Sequence, residues 1–230
     1  MPDPNDPTAQ AARLVLLFDL DGTLTDPRAG IVRCMRYALD KLGAPCPSDD
    51  VLASFIGPSL RKTFATLLET SSAALVEQAL VFYREQYGDT GLFENEVYDG
   101  IVPVLDHVRR TASAAFVATL KPKAYAERIV DRLGLARYFV GVYGAEMEGR
   151  FGDDKADLLA HLFAAERIAP EHAVMIGDRA GDIGAARAHR VRSIGALWGY
   201  GSKAELAGAG ADSLCWSPAE LVACLSQIST

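Results

Sequence analysis

Hydrophobic and polar positions along this chain follow two different periods, and the changes between them mark its elements. RLVLLFDL, residues 13–20, is a short continuous apolar run ending in acid, the pattern of a strand buried on both faces of a parallel sheet. DGTLTD then reads as a turn and exit loop. From Arg28 the period becomes helical: Ile31, Met35, Leu39 and Leu42 recur at spacings of four, four and three, Gly43 is placed to end the helix, and APCPSDD follows as a loop. DDVLASFIG and SLRKTFATLLE predict short helices around the break IGPS, and SAALVEQALVFYREQYG predicts a longer one. No strand pattern occurs from about 27 to 95.

Beyond YDGI the two periods alternate. IVPVLDHVRRT predicts a helix and AAFVATL a strand. PKAYAERIVDRLG predicts a helix with proline in its first turn and glycine at its end. YFVGVYGA predicts a strand, DKADLLAHLFAAERI a helix, HAVMIGD a strand, AGDIGAARAHR a helix and RSIGAL a strand. SPAELVACLSQI predicts a closing helix with glutamate at the capping-box position. This order predicts an α/β fold, a doubly wound parallel sheet (Rossmann-like core) with an inserted all-helical cap. The expected division is a core domain of 1–26 and 97–230 and a cap domain of 27–96. A segment inserted after the first strand overhangs the C-terminal ends of the strands, where such folds bind ligands.

Composition narrows the partners. The 230 residues are 50% hydrophobic, enough for a sizeable core with a small inserted domain, and carry a net charge of −7, a poor match to a nucleic acid polymer. No apolar run approaches the ~20 residues that span a bilayer, so no membrane partner is expected. Residues 1 to about 11 are acidic and proline-rich, lack the features of a signal peptide and read as a disordered tail. Cys34, Cys46, Cys215 and Cys224 form no CxxC pair and have no histidine at metal-ligand spacing. They read as free thiols of a reducing cytosol, which makes the expected location cytoplasmic.

Three predicted strand ends bring chemistry to one rim: Asp19 and Asp21, Thr119 and Lys121, and Asp178 and Asp182. Carboxylates from two strands repel at a shared edge unless a cation lies between them, and hard oxygen donors in an open site suit Mg²⁺. Lys155 stands in the first turn of its helix, where the helix dipole disfavours a cation; that misfit points to an amine reaching over the strand ends.

DLDGTLTD, VATLKP, Lys155 in GDDKADLL, and MIGDRAGDIGAA resemble the four motifs of the haloacid dehalogenase-like hydrolase superfamily, in its order and across nearly the whole chain. The helical segment resembles the small cap of its phosphoglycolate phosphatase-like branch. The resemblance implies that Asp19 is the nucleophile that forms an aspartyl-phosphate. It makes Asp21 the general acid and then the base that activates water, with Gly22 letting the backbone turn so that Asp21 faces the substrate. Thr119 would bond the phosphoryl oxygens, and Lys155 would stabilise charge on them and on Asp19. Mg²⁺ would be held by the Asp19 carboxylate, the Asp21 backbone carbonyl and Asp178, with Asp182 close by or bonded through water.

Lys121 reads either as a substrate-side group or as a solvated charge at a helix start. Arg61, in SFIGPSLRKTF, reads either as a grip on a remote anionic group or as part of a wet helix face. Trp198 and Tyr200, in ALWGYGS, either border the pocket or serve the loop, and none of the four histidines is assigned to catalysis. Phosphoglycolate phosphatases commonly have a lysine-proline pair where this chain has DDKADLL, a departure that weighs against phosphoglycolate itself. The expected activity is a Mg²⁺-dependent phosphatase of small phosphomonoesters, phosphoglycolate phosphatase-like or nucleotidase-like, acting as a monomer or homodimer. The alternatives are a phosphomutase of the β-phosphoglucomutase type and, outside enzymes, a phosphoacceptor regulatory module.

Overall fold

The computed structural model describes residues 14–147 and 153–228; the tail expected at the N-terminus lies outside them. In chain order the elements are β1 (Val15–Phe18), β2 (Thr25–Asp26), α1 (Arg28–Lys41), α2 (Asp49–Ser54), α3 (Leu60–Leu67), α4 (Ala73–Asp89), β3 (Glu96–Val97) and α5 (Ile101–Thr111). They continue with β4 (Ala114–Pro122), α6 (Lys123–Arg132), β5 (Gly141–Ala145), α7 (Lys155–Glu166), β6 (Ala173–Gly177), α8 (Ala180–Ala188), β7 (Arg192–Ala196), α9 (Lys203–Ala209), β8 (Ser213–Cys215) and α10 (Leu221–Ile228).

The six-stranded sheet has the order β5-β4-β1-β6-β7-β8, and all its pairings are parallel. β1 is central, and its four residues are all buried, as a run without alternation requires. Successive side chains serve opposite faces. Leu16 and Phe18 pack with Val117, Val174 and Ile194, whereas Val15 and Leu17 pack with Phe116, Met175 and Leu162. Each fully buried large side chain contributes about 1.5–3 kcal/mol relative to exposure. The chain runs outward from β1 to β4 and β5, then crosses back to β6 and continues the other way. The strand order therefore reverses at β1, and the C-terminal ends of β1, β4 and β6 converge at that switch point.

Between β1 and β4 the chain makes α1 to α4, and no strand lies between residues 27 and 95, as the pattern predicts. The stripe Ile31, Met35 and Leu39 is the buried face of α1 and packs against α4, which buries Val76, Leu80, Tyr83 and Tyr87. Gly43 takes φ +64° just past the end of α1. Both passages between sheet and helices run through one antiparallel ribbon, which pairs Thr25 with Val97 and Asp26 with Glu96.

The structure corrects several expectations. β4 continues through Lys121 to Pro122, so the proline ends a strand and α6 begins at Lys123. Residues 218–220 form a 3₁₀ turn before α10, and Glu220 accepts a hydrogen bond from Trp216 N instead of completing a capping box on Ser217. Cys34 and Cys46 are free, but Cys215 and Cys224 form a disulfide. α10 folds back against β8 and brings these two cysteines together, a contact that their spacing alone does not reveal. Among the described residues no helix is long and apolar enough to cross a membrane.

Candidate active site

The first strand delivers Asp19 directly to the switch point. Its backbone N–H donates to Ile176 O at 2.9 Å, so the residue is fixed by β6 even though it lies beyond β1. The chain then turns at Gly22, which has φ +88°, a region open to glycine and strained for other residues. A Cβ there would lie 2.2 Å from Asp178 Oδ2, and one on Gly199 would lie 2.6 Å from the same oxygen. Two bare stretches of backbone therefore make room for the Asp178 carboxylate. Its Oδ1 accepts from Thr23 Oγ1 at 3.2 Å and its Oδ2 from Tyr200 N at 2.8 Å.

Asp19, Asp178 and Asp182 are buried, and each offers a carboxylate oxygen within 4.8 Å of the others. Asp182 serves two functions. Its Oδ2 accepts from Arg179 N at 3.1 Å, capping α8, and its Oδ1 meets Lys155 Nζ at 2.8 Å. Lys155 also reaches Asp19 Oδ1 at 2.7 Å. It is the first residue of α7, and Asp154 caps the helix by accepting from Ala156 N. The lysine thus extends from a helix start to acids on two other elements, as its position in the sequence suggested.

Burial pushes the Asp178 carboxyl well above its usual range, and the neighbouring Asp19 and Asp182 push it further. Burial also raises Asp182, to about 6, against the opposing pull of Lys155. For Lys155 burial acts downward, but Asp182 and Asp19 outweigh it and hold the ammonium above its ordinary value. Two like charges about 4 Å apart repel by about 4 kcal/mol at an effective dielectric of about 20. One ammonium does not balance three carboxylates, and the cluster has the donors and the charge deficit to hold a divalent cation.

Asp19 also lines a pocket together with Asp21 from the loop after β1, Thr119 and Lys121 from β4, and Met35, Tyr83 and Tyr87 from the helices above it. Thr119 is buried, and its Oγ1 accepts from Lys121 N at 3.2 Å, which leaves the hydroxyl proton to donate. Lys121 is not a solvated charge. It is buried, with Nζ 2.6 Å from Asp21 Oδ2 and 2.6 Å from the Tyr87 hydroxyl. Burial raises the Asp21 carboxyl, and Lys121 opposes the rise. Asp21 Oδ1 is buried with no hydrogen-bond partner.

Arg61 does not reach this pocket. Its Nε and Nη2 bond Glu77 at 2.7 and 3.3 Å, and its Nη1 lies 3.7 Å from Asp153. From that turn Phe55, Ile56 and Leu60 supply the lining instead. Trp198 and Tyr200 fasten their loop: Trp198 Nε1 donates to Thr23 O at 2.9 Å, and the Tyr200 hydroxyl donates to Asp26. No histidine lines the pocket.

Two groups at the site carry no distinct signal in the sequence pattern read above. Tyr87 falls within a predicted helix, although Tyr83 and Tyr87, four apart on its buried stripe, are a legible aromatic pair. Arg179 follows Asp178, and nothing in its pattern signals a role. Its guanidinium bonds Glu205 at 3.0 Å and reaches across to the carbonyls of Ser54, at 3.0 Å, and Ile56.

Carboxylates, a hydroxyl and a buried ammonium at the switch point of a doubly wound sheet, beneath an inserted group of helices, define a class: a phosphoric monoester hydrolase. Residues 16–196 match the haloacid dehalogenase-like hydrolase family model, and the chain belongs to that family. It is 41% identical over 191 residues to a 5'-nucleotidase of Pseudomonas aeruginosa, covering 83% of this chain and 86% of that protein. It is 30% identical over 192 residues to Phosphoglycolate phosphatase 1 of the same organism, covering 81% of this chain and 70% of that protein. Tyrosine-protein kinase PtkA of Mycobacterium tuberculosis is 40% identical over 187 residues; the match spans 81% of this chain but 63% of the kinase. A solved structure of a predicted phosphatase from Clostridium acetobutylicum superposes with a TM-score of 0.90 at 33% identity, over 94% of this chain and 99% of that one.

Proposed function

We propose that this protein is a Mg²⁺-dependent phosphatase that hydrolyses a small phosphomonoester through an aspartyl-phosphate on Asp19. In this reading residues 27–96 act as a cap domain over a core of 1–26 and 97–230. One observation carries the proposal: Asp19, steadied by Lys155 on one oxygen, belongs both to the acidic cluster and to the lining of a pocket where Asp21 keeps an oxygen unpartnered. The donor set fits a hard divalent cation, being all oxygen, buried and in excess of its countercharge. Asp19, Asp178 and Asp182, with the Asp21 backbone carbonyl, would hold Mg²⁺. Once bound, the ion supplies positive charge that offsets the carboxylates and the phosphoryl oxygens.

The protein's own groups divide the remaining work. A carboxylate oxygen of Asp19 attacks phosphorus as the bond to the leaving oxygen breaks, and Asp21 gives that oxygen its proton. Lys155 and the Thr119 hydroxyl meet the charge on the phosphoryl oxygens. Asp21, now ionised, takes a proton from the water that attacks phosphorus, and inorganic phosphate leaves with Asp19 restored. Arg179 and the Arg84 bond to Met147 O, at 2.6 Å, hold the helices over the site, and the β2–β3 ribbon is the place for them to hinge.

A phosphate-release screen over metabolite phosphomonoesters tests the function. Nucleoside monophosphates belong first in the panel, because a relative at 41% identity is called a nucleotidase. Release that requires Mg²⁺ and stops with a chelator supports the proposal. Isomerised sugar phosphate without free phosphate would instead identify a mutase, and an aspartyl-phosphate that persists for many minutes with Mg²⁺ a phosphoacceptor.

A further inference from the structure

The Tyr87–Lys121–Asp21 chain runs from the inserted helices to the proposed acid, and its polarity is fixed by elementary chemistry. A lysine ammonium only donates hydrogen bonds. Lys121 Nζ lies 2.6 Å from Asp21 Oδ2, so that oxygen must accept, and any proton the carboxyl carries resides on Oδ1. Oδ1 is the oxygen with no partner, and Asp21 lines the pocket together with Asp19. The ammonium is itself held in place. The Tyr87 hydroxyl accepts from Nζ at 2.6 Å, and the Tyr87 ring is wedged between Tyr83, stacked at 5.2 Å, and Tyr125, edge-on at 5.4 Å. Tyr87 belongs to α4, Lys121 to β4, and Asp21 to the loop after β1.

We infer that Tyr87 is a positioning residue: its hydroxyl fixes Lys121 on Asp21 Oδ2, which turns the proton-bearing Oδ1 toward the leaving-group oxygen only while the helices are seated. The inference rests on the proposed phosphatase reading and on Asp21 as its acid. One hydroxyl then couples closure of the site to proton donation. An alkyl phosphate needs that proton because its alkoxide is a poor leaving group, whereas 4-nitrophenolate departs without it.

The test compares kcat/KM for an alkyl phosphate and for 4-nitrophenyl phosphate, with Mg²⁺ present, in wild type, Tyr87→Phe and Asp21→Asn. Tyr87→Phe keeps the ring and removes only the hydroxyl. It is expected to lose about 10-fold on the alkyl ester and about 2-fold on the aryl ester, a fraction of the 10²–10⁴-fold that general acid catalysis provides. Asp21→Asn is expected to show the same selectivity more steeply. Equal losses on both esters for Tyr87→Phe, or none, overturn the inference while leaving the phosphatase reading intact if Asp21→Asn remains selective. Equal losses for Asp21→Asn remove the acid assignment, and the inference falls with it. Lys121→Met probes the same link where Tyr87→Phe fails to fold: selective loss on the alkyl ester supports the inference, and uniform loss overturns it.

Discussion

Asp19 and Asp21 stand two positions apart, yet their surroundings give them different chemistry. Asp19 meets an ammonium that is anchored on a second carboxylate, so its negative charge is stabilised. Replacing it with asparagine keeps shape and volume but removes the proposed nucleophile. Asp19→Asn is expected to lower phosphate release by more than about 10³-fold while the melting temperature is unchanged or higher, because a like charge leaves the cluster. Arg61 is the opposite case. Its partners Glu77 and Asp153 are partly exposed, and such pairs contribute about 0–1 kcal/mol. Arg61→Ala should therefore leave KM within about 2-fold, measured on the best substrate of the screen; a KM increase of an order of magnitude would restore it as a substrate contact. The residue types at strand ends made Asp19, Asp21, Thr119, Asp178 and Asp182 readable in the sequence, as the helix-start misfit did for Lys155. The sequence leaves Lys121 undecided because its partner Tyr87 lies 34 positions away on another element, a pairing that no period encodes.

At the scale of elements, the loops after β1 and β7 matter as much as the strands. Gly22 and Gly199 leave the Asp178 carboxylate a slot that a single methyl group would close. Gly22→Ala combines a strained backbone, costing about 1–3 kcal/mol, with displacement of Asp178, a member of the acidic cluster. The expected result is lower stability in chemical denaturation and loss of most activity; a variant that is destabilised yet fully active would mean that Asp178 tolerates displacement. The long elements were legible: β1 from its unbroken apolar run, α1 from its four-four-three stripe, and β6 from AVMIG. β2, β3 and β8, with two, two and three residues, are too short to establish a period, and α9 lies in an alanine- and glycine-rich stretch without a clear face. The sequence pattern places Pro122 in a helix because proline favours a first turn, but parallel pairing with Ala145 holds it in β4.

For the molecule as a whole, a cation held by the acidic cluster as proposed would make stability depend on its concentration. Ligand binding to the native state alone adds about 2.7 kcal/mol at a hundredfold excess over Kd, which for a chain of this size corresponds to a rise of about 5–10 °C in melting temperature. Mg²⁺ should produce a rise of that order, a chelator should reverse it, and Asp178→Asn should abolish it; scanning fluorimetry reads all three. Arg179 joins the cluster's own loop to the carbonyls of Ser54 and Ile56. Arg179→Ala should raise KM several-fold by loosening the helices, and an unchanged KM would show that this contact does not hold them. The alternation of periods revealed the doubly wound class and the site of insertion, whereas the strand order and the contacts across the site arise only when distant segments meet. The β2–β3 ribbon has an evolutionary consequence. Because departure and return lie side by side, a lineage can exchange the intervening helices for a shorter or longer module without shifting the register of any strand beneath. The strand ends that carry the acidic cluster can then stay unchanged while the surface above them varies.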